Sequence, residues 1–78
     1  MSHEVVLLDA SGLTCPMPVL RAQRRLREMS SGAVLELLST DRIALKEVPL
    51  FCEQAGHELL QSSQDEKSGE YRFLIRKG

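Results

Sequence analysis

The apolar positions of this chain change their spacing from segment to segment, and the spacing predicts the elements. Val5 to Leu8 is a run of valine and leucine that ends at Asp9. The run does not alternate, which predicts a first strand covered on both sides or central in its sheet. From Val19 the period changes. Val19, Ala22, Leu26 and Met29 recur every three or four residues with arginines between them. That spacing predicts an amphipathic helix ending near Ser30-Ser31-Gly32. Val34 to Leu38 reads as the second strand.

Thr40 and Asp41 suit a helix N-cap, and Ala44, Leu45, Val48, Phe51, Cys52 and Ala55 then form a second helical stripe stopped by Gly56. Pro49 lies inside that stripe and removes the bond to the carbonyl of Leu45. A kink is expected there, or an irregular turn with the helix restarting near Val48. His57 to Gln61 and Tyr71 to Arg76 read as two further strands joined by the polar turn Gln64 to Gly69. In the last strand Tyr71, Phe73 and Ile75 alternate with Arg72, Leu74 and Arg76, the pattern of a half-covered antiparallel strand.

The order is βαβαββ. Both helices connect strands, and right-handed crossovers put them on the same side if the chain keeps moving one way across the sheet. The expected class is α/β (α+β): a two-layer sandwich with a four-stranded mixed sheet and both helices on one face, forming a single domain over residues 1–78.

The chain has 78 residues, so its core is marginal and a disulfide or a metal would be a natural staple. Neither is expected. Cys15 and Cys52 lie far apart in different helical contexts, His3 and His57 have no ligand spacing, and no Cys-x-x-C occurs. No signal-peptide pattern and no membrane-length apolar run is present, so a reduced, cytoplasmic setting is expected. The formal net charge of −1 argues against a polyanion binder, yet Arg21, Arg24, Arg25 and Arg27 crowd one short segment.

Chemistry is expected where the first strand hands over to the first helix. Asp9-Ala10-Ser11-Gly12-Leu13-Thr14 is a loop with one glycine to turn the backbone, and Cys15-Pro16-Met17-Pro18 follows. Proline is tolerated in a first helical turn, whose N–H groups lack acceptors, and it drives the preceding residue out of the α region. Two registers satisfy this. Pro16 is the first helical residue with Cys15 as N-cap, or the helix begins at Pro18 and Cys15 sits in the loop ahead of it. Either way Cys15 is expected to be accessible and somewhat activated by the positive helix end. Gly12, Pro16 and Pro18 shape its surroundings. Cys52, beside Phe51 on an apolar stripe, is expected to be core, and His57, after the stop glycine, to pair with a helix end.

Asp9-x-x-Gly12-x-x-Cys15-Pro16-x-Pro18, Thr40-Asp41 ahead of the second helix and Val48-Pro49-x-Phe51 within it resemble the TusA/SirA sulfur-carrier family over nearly the whole chain. The resemblance implies a βαβαββ sandwich whose catalytic cysteine, Cys15, carries sulfane sulfur as a persulfide. It also implies a cysteine desulfurase or rhodanese-like donor, a downstream acceptor protein, no cofactor, and service in tRNA thiolation, sulfur oxidation or cofactor and metalloenzyme maturation. Asp9 and Asp41 match the family pattern without a catalytic role being carried over. After Asp41 many relatives have proline and a small residue, whereas Arg42-Ile43-Ala44 follow here.

Sulfur transfer resembles thiol–disulfide exchange, in which a reachable thiolate attacks a sulfur atom, and a stiff proline-bounded loop presents one at low ordering cost. A resolving cysteine close by would discharge the cargo as a disulfide. Arg21, Arg24 and Arg25 follow the thiol by one to three helical turns and, with Met17, are candidates for contact with an acidic partner rim. The competing reading of these arginines is a solvated face. A regulatory adaptor and an RNA-binding module are the alternative functions. The second is disfavoured, because Phe51, Tyr71 and Phe73 form no stacking motif and direct nucleic-acid binding is not expected.

Overall fold

The computed structural model describes residues 4–78, so His3 lies outside the described residues. The elements are β1 (Val5–Asp9), α1 (Met17–Arg27), β2 (Val34–Ser39), α2 (Ala44–Ala55), β3 (Glu58–Gln64) and β4 (Tyr71–Arg76). They form one mixed sheet in the order β1-β2-β4-β3. β1 pairs parallel with β2, and β4 pairs antiparallel with both β2 and β3. The core forms where the sheet's inner residues meet the helices. Leu35 and Leu37 of β2 and Tyr71, Phe73 and Ile75 of β4 are buried in one cluster with Ala22 and Leu26 of α1 and Val48, Phe51 and Cys52 of α2. Because one cluster takes residues from both helices and one sheet face, the two-layer sandwich follows. The opposite sheet face is open and carries the Arg72–Glu36 and Arg76–Glu58 ion pairs.

Four expectations are corrected here. β1 is neither central nor covered on both sides: it is an edge strand, and Val5 and Leu7 are exposed while Val6 and Leu8 pack against the core. Its apolar run therefore reports two different environments, only one of them the protein interior. Of the two alternatives at Pro49, the irregular turn with a restart does not occur, since α2 runs unbroken from Ala44 to Ala55. An interior proline costs about 3 kcal/mol. Burying Val48 and Phe51 against the sheet offsets that, at about 1.5–3 kcal/mol for each large side chain.

Within the helical stripe, Leu45 and Ala55 face outward and only Ala44, Val48, Phe51 and Cys52 are buried. The third strand is longer than the apolar pattern marks. It continues through Ser62, Ser63 and Gln64, whose backbones pair with Phe73, Arg72 and Tyr71, with a bulge between Leu59 and Gln61. Polar side chains are tolerated there because this is the other edge of the sheet and backbone pairing needs no particular side chain.

Gly56 closes α2 with φ 79°, and both its N–H and that of His57 donate to the carbonyl of Cys52. His57 thus meets the helix end through its backbone. Its ring accepts the Gly78 N–H at Nδ1 (3.1 Å) and lies against Phe51 with centroids 5.7 Å apart. Burial, then the nearby Lys77, lowers its pKa.

Candidate functional site

Cys15 lies where β1 ends and α1 begins, and both neighbouring elements help to hold it. The loop leaves β1 through an Asx turn in which Asp9 Oδ1 accepts the Ser11 N–H (3.0 Å). That bond lowers the pKa of the Asp9 carboxyl. Ala10 is buried and its N–H still donates to the carbonyl of Leu38, so the loop starts in register with β2. Gly12 then adopts φ 83°, a left-handed conformation that a residue with a Cβ resists, and its N–H donates to Thr40 Oγ1 (2.8 Å). Thr40 is therefore a brace for this loop and not a helix cap.

α1 starts in neither expected register. Pro16 is the N-cap, Met17 the first helical residue and Pro18 the second, so Cys15 stands one residue ahead of the cap. Met17 is helical although a proline follows it. Its N–H donates to Thr14 O and that of Leu20 to Pro16 O, which closes the first turn. Pro18 is fully buried, so this ring packs the core beneath the loop as well as stiffening the backbone. Pro16 and Met17 face solvent.

The decisive contact comes from across the sheet. Asp41, just after β2, accepts the Cys15 N–H at Oδ2 (2.5 Å) and the Ile43 N–H at Oδ1 (3.0 Å). Its own N–H donates to the hydroxyl of the fully buried Ser39 (3.1 Å). One carboxylate thus fixes the backbone at Cys15 and the turn leading into α2, whose cap residue is Ile43 and not Thr40 or Asp41. Sequence reasoning noted Asp41 as a helix cap and did not connect it to the cysteine. The signal available was the co-occurrence of a capping aspartate and a cysteine loop at neighbouring strand ends of a parallel pair.

The electrostatics correct a second expectation. Cys15 is half-buried, and that burial raises its pKa, with the Glu47 and Asp41 carboxylates pushing the same way. The thiol is presented but not activated in the isolated chain. The helix end does not compensate, because the sulfur sits outside the first turn, where the dipole contribution falls away.

Apolar side chains are exposed near the start of both helices, and arginines follow them on α1. Met17 and Leu20 on α1, and Ile43 and Leu45 at the start of α2, are exposed. Leu20 was not singled out from sequence, and Leu45 was read there as part of the buried stripe. Arg21, Arg24 and Arg25 are all exposed and lie with Met17, Leu8 and Glu28 around a groove of about 510 Å³. None of the three arginines is in an ion pair among the described residues. The structure therefore brings Met17 and the three arginines together on one groove, with Gly12, Pro16 and Pro18 beside Cys15 as supports.

Cys52 is buried on α2, and burial pushes its thiol up to about 11. No helix is long and apolar enough to cross a membrane among the described residues.

Known proteins are similar to this chain in sequence and fold. The family described as Sulfurtransferase TusA matches residues 6–77. The chain is 49% identical over 70 residues to the sulfur carrier protein TusA of Allochromatium vinosum, covering 90% of each. With the sulfur carrier protein TusA of Pseudomonas aeruginosa it shares 40% identity over 78 residues, covering 99% of this chain and 96% of that one. The crystal structure of a SirA-like protein from Desulfitobacterium hafniense superposes with a TM-score of 0.82 at 27% identity, covering 94% and 97% of the two chains. A four-stranded mixed sheet with two helices, the loop at its first crossover and these matches all agree: the chain belongs to the TusA sulfurtransferase family of sulfur carriers.

Proposed function

We propose that Cys15 is the residue that carries sulfur, and that it does so as a persulfide. In loading, the Cys15 thiolate attacks the terminal sulfur of a donor persulfide. The new S–S bond forms at Cys15 Sγ, the donor's S–S bond breaks, and the donor cysteine leaves as a thiolate. In unloading, an acceptor thiolate attacks the same terminal sulfur and Cys15 departs in turn. Each step exchanges one S–S bond for another, so no external oxidant or reductant is consumed.

One observation carries this reading: the backbone at Cys15 is tied by Asp41 while its side chain stays half-exposed, whereas the other cysteine is buried. An ordered backbone with a reachable sulfur lowers the cost of aligning two sulfur atoms. The raised pKa fits a carrier better than a free-standing catalyst. Thiolate formation is held back until positive charge from a docked partner offsets the Asp41 and Glu47 carboxylates.

A cysteine desulfurase or a rhodanese-like protein fits the donor role and a further protein thiol the acceptor role. The relatives' description as sulfur carriers supports the relay role, and tRNA thiolation, sulfur oxidation and cofactor or metalloenzyme maturation are the pathways we propose for it. Intact mass after incubation with a cysteine desulfurase and free cysteine tests the reading. The wild-type chain is expected to gain sulfur that a reductant removes, and Cys15→Ser to gain none. A wild-type chain that docks the desulfurase without gaining sulfur would be an adaptor.

A further inference from the structure

The free edge of β1 and the basic face of α1 form the two walls of one continuous groove. Near the cysteine it is bounded by Leu8, Met17, Arg21 and Arg24. A second hollow of about 200 Å³ continues it along Val6 toward Met29 and shares Arg25 and Glu28 with the first. Backbone groups alternate sides along a strand. The Glu4 carbonyl accepts from Val34 and the Ala10 N–H donates to Leu38, so the even-numbered residues of β1 face β2. Val5, Leu7 and Asp9 therefore direct their N–H and C=O groups away from the sheet, along the groove.

We propose that this groove takes an extended segment of a partner protein as a fifth strand on β1, and that the segment alternates acidic with apolar residues. The alternation follows from what flanks the added strand. On the helix side its side chains meet Arg21, Arg24 and Arg25, none of them in an ion pair among the described residues. On the other side they lie beside Val5 and Leu7, whose relative exposures of 62% and 57% are high for aliphatic residues. Main-chain bonds to the strand edge supply affinity, and the two alternating rows supply selectivity. A uniformly acidic segment would leave Val5 and Leu7 uncovered, and a uniformly apolar one would face the arginines without charge partners. Since Met17 belongs to both the groove wall and the cysteine motif, a strand seated here ends beside Cys15. This deepens the carrier reading by naming the partner's recognition chemistry.

The test uses peptide binding and not sulfur loading, so the two readings can fail separately. A capped peptide of alternating glutamate and valine is titrated into isotope-labelled protein and followed by nuclear magnetic resonance. The expected result is downfield movement of the Val5, Leu7 and Asp9 amide protons with cross-strand contacts between peptide and β1. R21E/R24E/R25E should weaken binding by about tenfold, since three exposed ion pairs are lost. Leu7→Pro should abolish it, because that N–H faces outward and its loss leaves the bonds to β2 in place. A lysine–valine peptide should not bind. Shifts confined to α1, no shift at millimolar peptide, or equal binding by a peptide with the same residues in two blocks would each overturn the proposal.

Discussion

Cys15 and Cys52 are the same side chain in two backbone settings, and the settings decide what each sulfur can do. Cys52 is in the last turn of α2, within the core cluster, with only 2% of its surface exposed, and it acts as a small apolar group. Cys15 has left regular structure altogether. It follows a left-handed glycine, precedes a proline cap and is anchored by its N–H, so the chain is ordered around it without enclosing it. Both thiols have raised pKa values, Cys52 through burial and Cys15 through burial with two carboxylates added. Reactivity here is therefore a matter of access and of what a partner brings, more than of resting ionisation.

The sharpest way to break this contrast is to exchange the two roles. Cys15→Ser should eliminate sulfur loading entirely, while Cys52→Ala keeps it; loading that survives the first change and not the second would reverse the assignment. Native alkylation comes next. Iodoacetamide followed by peptide mapping should modify Cys15 about 100-fold faster than Cys52, whose labelling requires opening of the core. Equal rates would remove the distinction.

Charge reversal of Arg21, Arg24 and Arg25 separates encounter from chemistry. Loading by a donor protein should slow about tenfold at low salt and recover part of that difference as salt screens the field, with reaction of a neutral small reagent unchanged. A matching loss with the small reagent would mean that these arginines hold the loop itself.

Stability isolates the buried cysteine. Cys52→Ala should cost about 1 kcal/mol in urea unfolding. Because the folded pKa of Cys52 lies above the unfolded one, its contribution is complete below pH 9.0 and is lost as pH rises toward about 11. The wild-type chain should show that decline and Cys52→Ala a shallower one. The smallest expected effect is Glu47→Gln. Removing this negative charge lowers the Cys15 pKa, so alkylation near neutral pH should quicken by about twofold, measured by thiol titration.

Much of this molecule is legible in its sequence where local pattern and long-range packing agree. The alternation of Tyr71, Phe73 and Ile75 marks a strand that is indeed buried on one face, and the spacing of Ala22 and Leu26 marks the buried side of α1. The pattern misleads where exposed apolar residues imitate core. Val5 and Leu7 lie on an edge and the open sheet face, and periodicity alone carries no record of how many neighbours a strand has. The restart expected at Pro49 misleads for the opposite reason, since the proline's local penalty is visible and the burial that offsets it is not. The cysteine and its prolines stand out in sequence, but the Asp41 contact joins residues 26 positions apart, and only the β1–β2 pairing brings them together.

The shared carboxylate of Asp41 also makes two pieces of the chain mechanically one. If the first turn of α2 frays and Asp41 moves with it, the Cys15 N–H loses its acceptor; if the cysteine loop swings out, Asp41 loses a donor that helps to hold it ahead of α2. Neither segment opens at its own free energy, so a protein that grips the beginning of α2 also sets how tightly the sulfur is aimed, without touching it.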